Sequence, residues 1–259
     1  MRLTIIGAGN MGGAIARALA GGTYFQASDI TCTARSLQTL EKFEAEGFSV
    51  TNDNGKAVSE ADVVVFAVKP WLMESVVKEV VPYLNLDRQI VASVAAGISF
   101  AQLSSWLGSD SAALFRIIPN TAIEVGSGVT FISSLNASDS QKSLILRLFS
   151  EMGYAQQVEE SMMAAGTALA SCGIAYAMKY IQASASGGEN LGFNAEQACK
   201  IVEYTVKGAA ELLLATGNVP QKEIDKVTTP GGMTEKGLAA MEECGFSQAV
   251  VNGLKACLK

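Results

Sequence analysis

Histidine is absent from all 259 residues, and that omission removes whole classes of chemistry: imidazole general bases, histidine-centred triads and nearly every histidine-containing metal site. Cysteine is present but unorganised. Cys32, Cys172, Cys199, Cys244 and Cys257 are odd in number, scattered and free of any Cys-x-x-Cys pair. Neither a disulfide framework nor a zinc site is expected, and the reduced thiols of a cytoplasmic protein are the simple reading. No run of lysine or arginine occurs and the formal net charge is −6, which argues against nucleic acid or an anionic membrane as the main partner and for a small-molecule substrate. The N-terminus lacks a basic stretch followed by an apolar run and a cleavage site. One segment, Ser161 to Met178, carries no charge and is nearly long enough to span a bilayer. It is built mostly of Ala, Gly, Ser, Thr and Met, without aromatic belts or a basic flank, so a packing helix that meets another subunit is expected there.

What is present begins at once. Arg2 to Ala20 reads as a buried strand running through Gly7-Ala8-Gly9-Asn10-Met11-Gly12 into an apolar-faced helix, the opening of a dinucleotide-binding Rossmann fold. Gly7 allows the tight turn, Gly9 lets backbone approach a pyrophosphate, and Gly12 permits close packing of helix on strand. Strands expected at 30–33, 62–68, 89–94, 112–118, 129–133 and 154–158 alternate with helices at 37–45, 100–107 and 139–150, the pattern of a parallel sheet. Beyond residue 158 apolar residues recur at helical spacing over 161–186, 194–215, 232–243 and 246–258. The expected organisation is an α/β Rossmann-like N-terminal domain, residues 1–158, and an all-α domain, residues 159–259.

An acid at the end of the second strand would accept the ribose hydroxyls of NAD and repel a 2′-phosphate. This chain has Ala34-Arg35-Ser36 there, a cation and a hydroxyl suited to a phosphate, so NADPH is the expected cofactor, with NADH possible. The loops after the later strands should line the crevice: Ala67-Val68-Lys69-Pro70, Ala95-Ala96-Gly97 and Pro119-Asn120-Thr121.

Gly7 to Met11, Asp53-Asn54, Ala67 to Pro70, Ala95 to Gly97, Pro119-Asn120 and Val227-Thr-Thr-Pro-Gly-Gly-Met-Thr234 stand in an order that resembles the pyrroline-5-carboxylate reductases, across essentially the whole chain. The Thr-Pro-Gly-Gly-x-Thr segment is the most specific part. The resemblance implies reduction of the cyclic imine 1-pyrroline-5-carboxylate to L-proline by NADPH or NADH. It also implies a helical dimerisation domain that interlocks with a second subunit, giving a homodimer or larger homo-oligomer. Residue by residue it implies that Asn54 contacts the adenosine ribose and that Ala67 to Pro70 with Ala95 to Gly97 line the nicotinamide end. The loop holding Thr229, Gly231, Gly232, Met233 and Thr234 would take the substrate carboxylate and ring nitrogen, and Glu160 matches an acidic position near the substrate, the alternative being a charge at a helix start that favours the helix dipole. Imine reduction fits a chain without histidine. If the imine arrives protonated, Thr234 is the catalytic candidate, orienting the ring nitrogen, and backbone N–H groups at a helix start bind the carboxylate.

Departures from the family pattern leave room for a divergent imine substrate. Ile174 stands where proline is usual, restoring a backbone N–H and removing an expected kink, and Met233 offers no hydroxyl. A β-hydroxyacid-type dehydrogenase would need a helix lysine, for which Lys179 is the candidate without its accompanying motif. A non-catalytic NADPH-binding protein is the third class, and NADPH oxidation against pyrroline-5-carboxylate, other imines and hydroxyacids separates all three.

Overall fold

Runs of valine and isoleucine, which pack well on a pleated and doubly covered surface, form the centre of an eight-stranded sheet. The computed structural model describes residues 1–258, and these fall into two units that divide after Ser171. The first unit runs β1 (Leu3–Ile6), α1 (Asn10–Ala20), β2 (Ile30–Thr33), α2 (Leu37–Ala45), β3 (Ser49–Thr51), α3 (Asn54–Ser59), β4 (Val63–Phe66), α4 (Met73–Val80) and β5 (Ile90–Ser93). It continues with α5 (Phe100–Leu107), β6 (Leu114–Pro119), β7 (Gly128–Leu135), α6 (Asp139–Ser150), β8 (Gly153–Gln157) and a short α7 (Met163–Gly166).

The strand order is β3-β2-β1-β4-β5-β6-β7-β8. The chain moves outward from β1 and then returns to lay β4 on its other side, so the order reverses at β1/β4 and a crevice opens at the carboxyl ends of those two strands. Alternate residues supply two cores. Leu3, Ile5, Val63 and Val65 face one layer of helices, while Ile6, Val64 and Phe66 face the other, as the two-residue period of a strand requires.

One expectation is corrected: the sheet is not wholly parallel, because β6 and β7 pair antiparallel, Leu114 opposite Leu135 and Pro119 opposite Thr130. The connection over 120–127 is too short to carry a crossover. The other boundary differences are small, except that β3, α3, α4 and the later helix Pro220–Val227 fall in stretches for which the sequence pattern assigns no element. Helices α2, α5 and α6 begin where hydroxyls cap them: Ser36, Ser99 and Ser138 accept from Thr39, Gln102 and Gln141 N–H respectively, and the last two form capping boxes.

The expected boundary after residue 158 and the observed division after Ser171 differ because Met163, Gly166 and Ala168 pack inward. A Cβ on Gly166 would lie 2.7 Å from the Phe131 ring on β7. Residues Thr167–Cys172 then form a π-helical segment, so the helix is irregular immediately before Ile174 even without a proline there.

The second unit comprises α8 (Gly173–Asn190), α9 (Ala195–Thr216), α10 (Pro220–Val227), α11 (Met233–Glu243) and α12 (Phe246–Ala256). Tyr176 Oη donates to Gly253 O at 3.1 Å, and Tyr180 meets Phe246 edge-on at 6.3 Å. Among its described residues only Ala185 and Ala198 are buried, whereas Leu191, Tyr204, Leu212, Leu214 and Met233 are exposed. Glu160–Asn190 as a whole is long and apolar enough to cross a membrane by length and composition, with 22% of its most apolar window buried.

Candidate active site

The three fingerprint glycines do three different jobs. Gly7 has φ +95°, and a Cβ there would lie 2.7 Å from Val68 Cγ1, so both conformation and space demand glycine. A Cβ on Gly12 would press on Gly7 O, on Ala67 Cβ at 3.0 Å and on Ile5 Cγ2 at 3.1 Å, which is the close helix-on-strand contact. Gly9 has nothing within 4 Å of that position. The space it leaves open lies at the start of α1, whose N-cap provides no side-chain acceptor, so the first-turn N–H groups remain for an anion. These residues fit a dinucleotide pyrophosphate.

Two cavities spread from this point, both within the first unit. One, of about 590 Å³, is lined by Gly7, Ala8 and Gly9 and extends to Arg35, Ser36 and Asn54. The other, of about 530 Å³, is lined by Asn10 and Met11 and reaches Pro70, Ala95 and Ala96. Gly9, Ala67, Val68 and Lys69 line both, as expected for a crevice that holds the two ends of a dinucleotide on either side of its phosphates. Cys32, on β2, is buried, and burial pushes its thiol up to about 12. It stays protonated and packs as an apolar side chain.

In the first cavity the side chains are held by a relay. Thr33 Oγ1 accepts from Gly7 N–H at 3.3 Å and donates to Asn54 Oδ1 at 2.7 Å, and Asn54 Nδ2 donates to Glu79 Oε1 at 3.1 Å. Asn54 sits at the start of α3 because Asp53 caps that helix, accepting from Lys56 N–H at 2.9 Å. Ser36 lines the cavity while capping α2.

The second cavity also takes Thr121, Glu124, Thr167 and Ser171 into its wall. Asn120 is not on that wall. It is buried, with Oδ1 accepting from Ala122 and Val129 N–H at 3.2 Å and Nδ2 donating to Ala170 O at 3.4 Å. With Ser171 Oγ donating to Pro119 O at 3.3 Å, it ties the loop after β6 to the π-helical turn. Irregular helical turns of this kind are frequent at functional sites. Gly97, at φ +79°, turns the chain after Ala95-Ala96 and is likewise off the wall.

Glu160 is held in place by unit-one partners. Its Oε1 accepts from Phe100 N–H and from Arg116 Nη1, each at 2.8 Å, the first being a charge-assisted bond at the start of α5. In the second unit, Gly231 takes φ +72° and Gly232 N–H donates to Thr229 O at 2.8 Å. Gly232 is the N-cap of α11, so Met233 and Thr234 open that helix, both exposed. Gly231 N–H donates to Glu235 Oε2 at 2.5 Å, so the turn already binds one carboxylate, its own. Lys179, on α8, donates to Gln182 Oε1 at 2.9 Å.

Glu79, Glu124, Thr167 and Ser171 escape a reading of the sequence alone. They come from helical faces and a short turn rather than from strand-end loops, and no spacing rule ties them to the fingerprint.

Residues 160–259 match the family described as pyrroline-5-carboxylate reductase dimerisation, and residues 2–97 match NADP oxidoreductase, coenzyme F420-dependent. Pyrroline-5-carboxylate reductase 1 of Dictyostelium discoideum is 35% identical over 97% of this chain. The chain spans about half, 48%, of that relative's length. The crystal structure of a pyrroline-5-carboxylate reductase from Coxiella burnetii is 31% identical, covers 99% of this chain and 96% of its own, and superposes with a TM-score of 0.92. That of the Plasmodium falciparum pyrroline carboxylate reductase with NADP bound is 25% identical, with coverages of 100% and 95% and a TM-score of 0.90.

Proposed function

Since this chain belongs to the pyrroline-5-carboxylate reductase family, we propose that it reduces 1-pyrroline-5-carboxylate to L-proline, a step of proline biosynthesis, with NADPH as reductant and NADH as a weaker substitute. The observation that carries the cofactor half is the open space over Gly9, at the N-terminus of α1, from which one cavity runs to Arg35 and Ser36 and another to Ala95 and Ala96. A bound dihydronicotinamide supplies the hydride for the imine carbon.

The chain's own residues bind and orient. N–H groups of the glycine loop and α1 hold the pyrophosphate, Arg35 and Ser36 the 2′-phosphate, Asn54 the ribose, and Lys69, Pro70, Ala95 and Ala96 the nicotinamide end. The 229–234 turn, whose Gly231 N–H already donates to a carboxylate in Glu235, takes the substrate carboxylate, and the Thr234 hydroxyl orients the ring nitrogen. No strong general acid is needed when the imine arrives protonated, and positioning supplies most of the rate.

The reductase works as a homodimer or larger homo-oligomer joined through residues 159–259. The dimerisation match and the second unit's exposed apolar side chains support this reading. They also favour a packing role for Glu160–Asn190. Unpaired cysteines and the acidic balance support a cytoplasmic location.

The decisive assay follows NADPH oxidation with pyrroline-5-carboxylate, other cyclic imines and hydroxyacids. Turnover of the imine and not of the hydroxyacids is expected. In the same assay Thr234→Ala should keep its NADPH affinity and lose about 10- to 100-fold in kcat/KM, the worth of one orienting hydrogen bond, with Thr234→Ser recovering most of it. Unchanged turnover by Thr234→Ala means that the turn is only a connector.

A further inference from the structure

The cavity that reaches Arg35 also contains a carboxylate, and that carboxylate is fixed. Glu79, on α4, lines the same 590 Å³ space as Arg35, Ser36 and Asn54. Neither Glu79 nor Arg35 enters an ion pair among the described residues. One lone pair of Glu79 Oε1 is taken by Asn54 Nδ2. Asn54 is held by Thr33, and Thr33 by the N–H of Gly7. The acid is therefore referenced, through three hydrogen bonds, to the loop that carries the pyrophosphate, and the rest of its acceptor capacity remains for a donor in the cavity.

A carboxylate at the adenosine end has a definite chemical consequence. It accepts from ribose hydroxyls and is repelled by a 2′-phosphate, which is why an acid at the end of the second strand selects NAD in many folds of this type. Here that strand ends in Ala34-Arg35-Ser36, and the acid arrives instead from α4, well beyond the end of β4 at Phe66. We propose that Glu79 is the acceptor for the adenosine ribose hydroxyls, so that the cavity has two selectors of opposite sense: Arg35 with Ser36 for the 2′-phosphate of NADPH, and Glu79 for the unphosphorylated ribose of NADH. Glu79 sets the upper limit of the preference for NADPH. This rests on the cofactor reading above and adds the residue that tunes it.

Dissociation constants of NADPH and NADH, measured on the full-length protein by nicotinamide fluorescence, test the assignment without turnover. Glu79→Gln removes the charge while its amide oxygen still accepts from Asn54. It should weaken NADH about tenfold and leave NADPH unchanged or tighter. Arg35→Ala should do the reverse. If Glu79→Gln leaves the ratio of the two constants within about twofold of wild type, or weakens both nucleotides equally, Glu79 is a brace for Asn54 and the proposal falls. Should Glu79→Gln not fold, Glu79→Asp, which withdraws the carboxylate, carries the same expectation. Failure of the wild type to bind either nucleotide would instead remove the cofactor reading itself.

Discussion

Three glycines within six positions present an experiment at the scale of single residues, because the same substitution should damage two different properties. At Gly9 a methyl group meets no protein atom within 4 Å and φ is −79°, so Gly9→Ala is expected to keep the melting temperature and to lose NADPH affinity. At Gly12 the methyl presses on Gly7 O and Ala67, so Gly12→Ala is expected to cost about 1–3 kcal/mol of stability through overpacking. Thermal melts with and without NADPH separate the two. If Gly9→Ala binds NADPH as tightly as wild type, the space over Gly9 is not where the phosphates lie. Arg35 belongs to the same scale, as a side chain whose expected role follows from its type and its place after β2, whereas the roles expected of Asn54 and Thr234 are those the family resemblance implies. Glu79 is not, because nothing in Val76 to Val80 distinguishes it from the other acids of a solvated helix face.

Among the elements, the strands and helices that the sequence announces are those with a clear signal at both ends. Val63–Phe66 is an unbroken apolar run, and Ser99 and Ser138 begin α5 and α6 with a glutamine three residues on. What is illegible is equally physical. Strand β3 is three residues of Ser, Val and Thr, and α4, Met-Glu-Ser-Val-Val-Lys-Glu-Val, is rich in β-branched residues that mask its buried face of Met73, Val77 and Val80. The antiparallel direction of β7 follows from loop length, a constraint that local pattern does not report. Glu160 shows how an element boundary can be read in two ways. Resemblance places it by the substrate, while the structure gives its Oε1 to Phe100 N–H and to Arg116, whose side chain is 11% exposed. Glu160→Ala should therefore lower stability by about 1–2 kcal/mol, discounted for the partial exposure of the pair, visible as a fall in melting temperature. Glu160→Gln, which keeps an acceptor, should recover most of that loss. If both variants melt like wild type, the pair is not holding the start of the long helix segment to α5.

For the whole molecule the contrast between the two units decides the behaviour in solution. The first has two cores of fully buried side chains; the second has two buried alanines among its described residues. Helices with so little buried surface do not persist alone, and light scattering at low micromolar concentration is expected to give a homodimer or a multiple of it. A stable, active monomer would refute this. A chain truncated near Ser171 should by contrast remain folded. The scarcity of buried side chains among the second unit's described residues reaches beyond assembly. A newly made chain that has met no copy of itself carries a finished half and a half recognisable to chaperones and proteases as unfinished. Survival then depends on encounter frequency, and at low expression the reductase activity of a cell should rise more steeply than in proportion to the number of chains it makes.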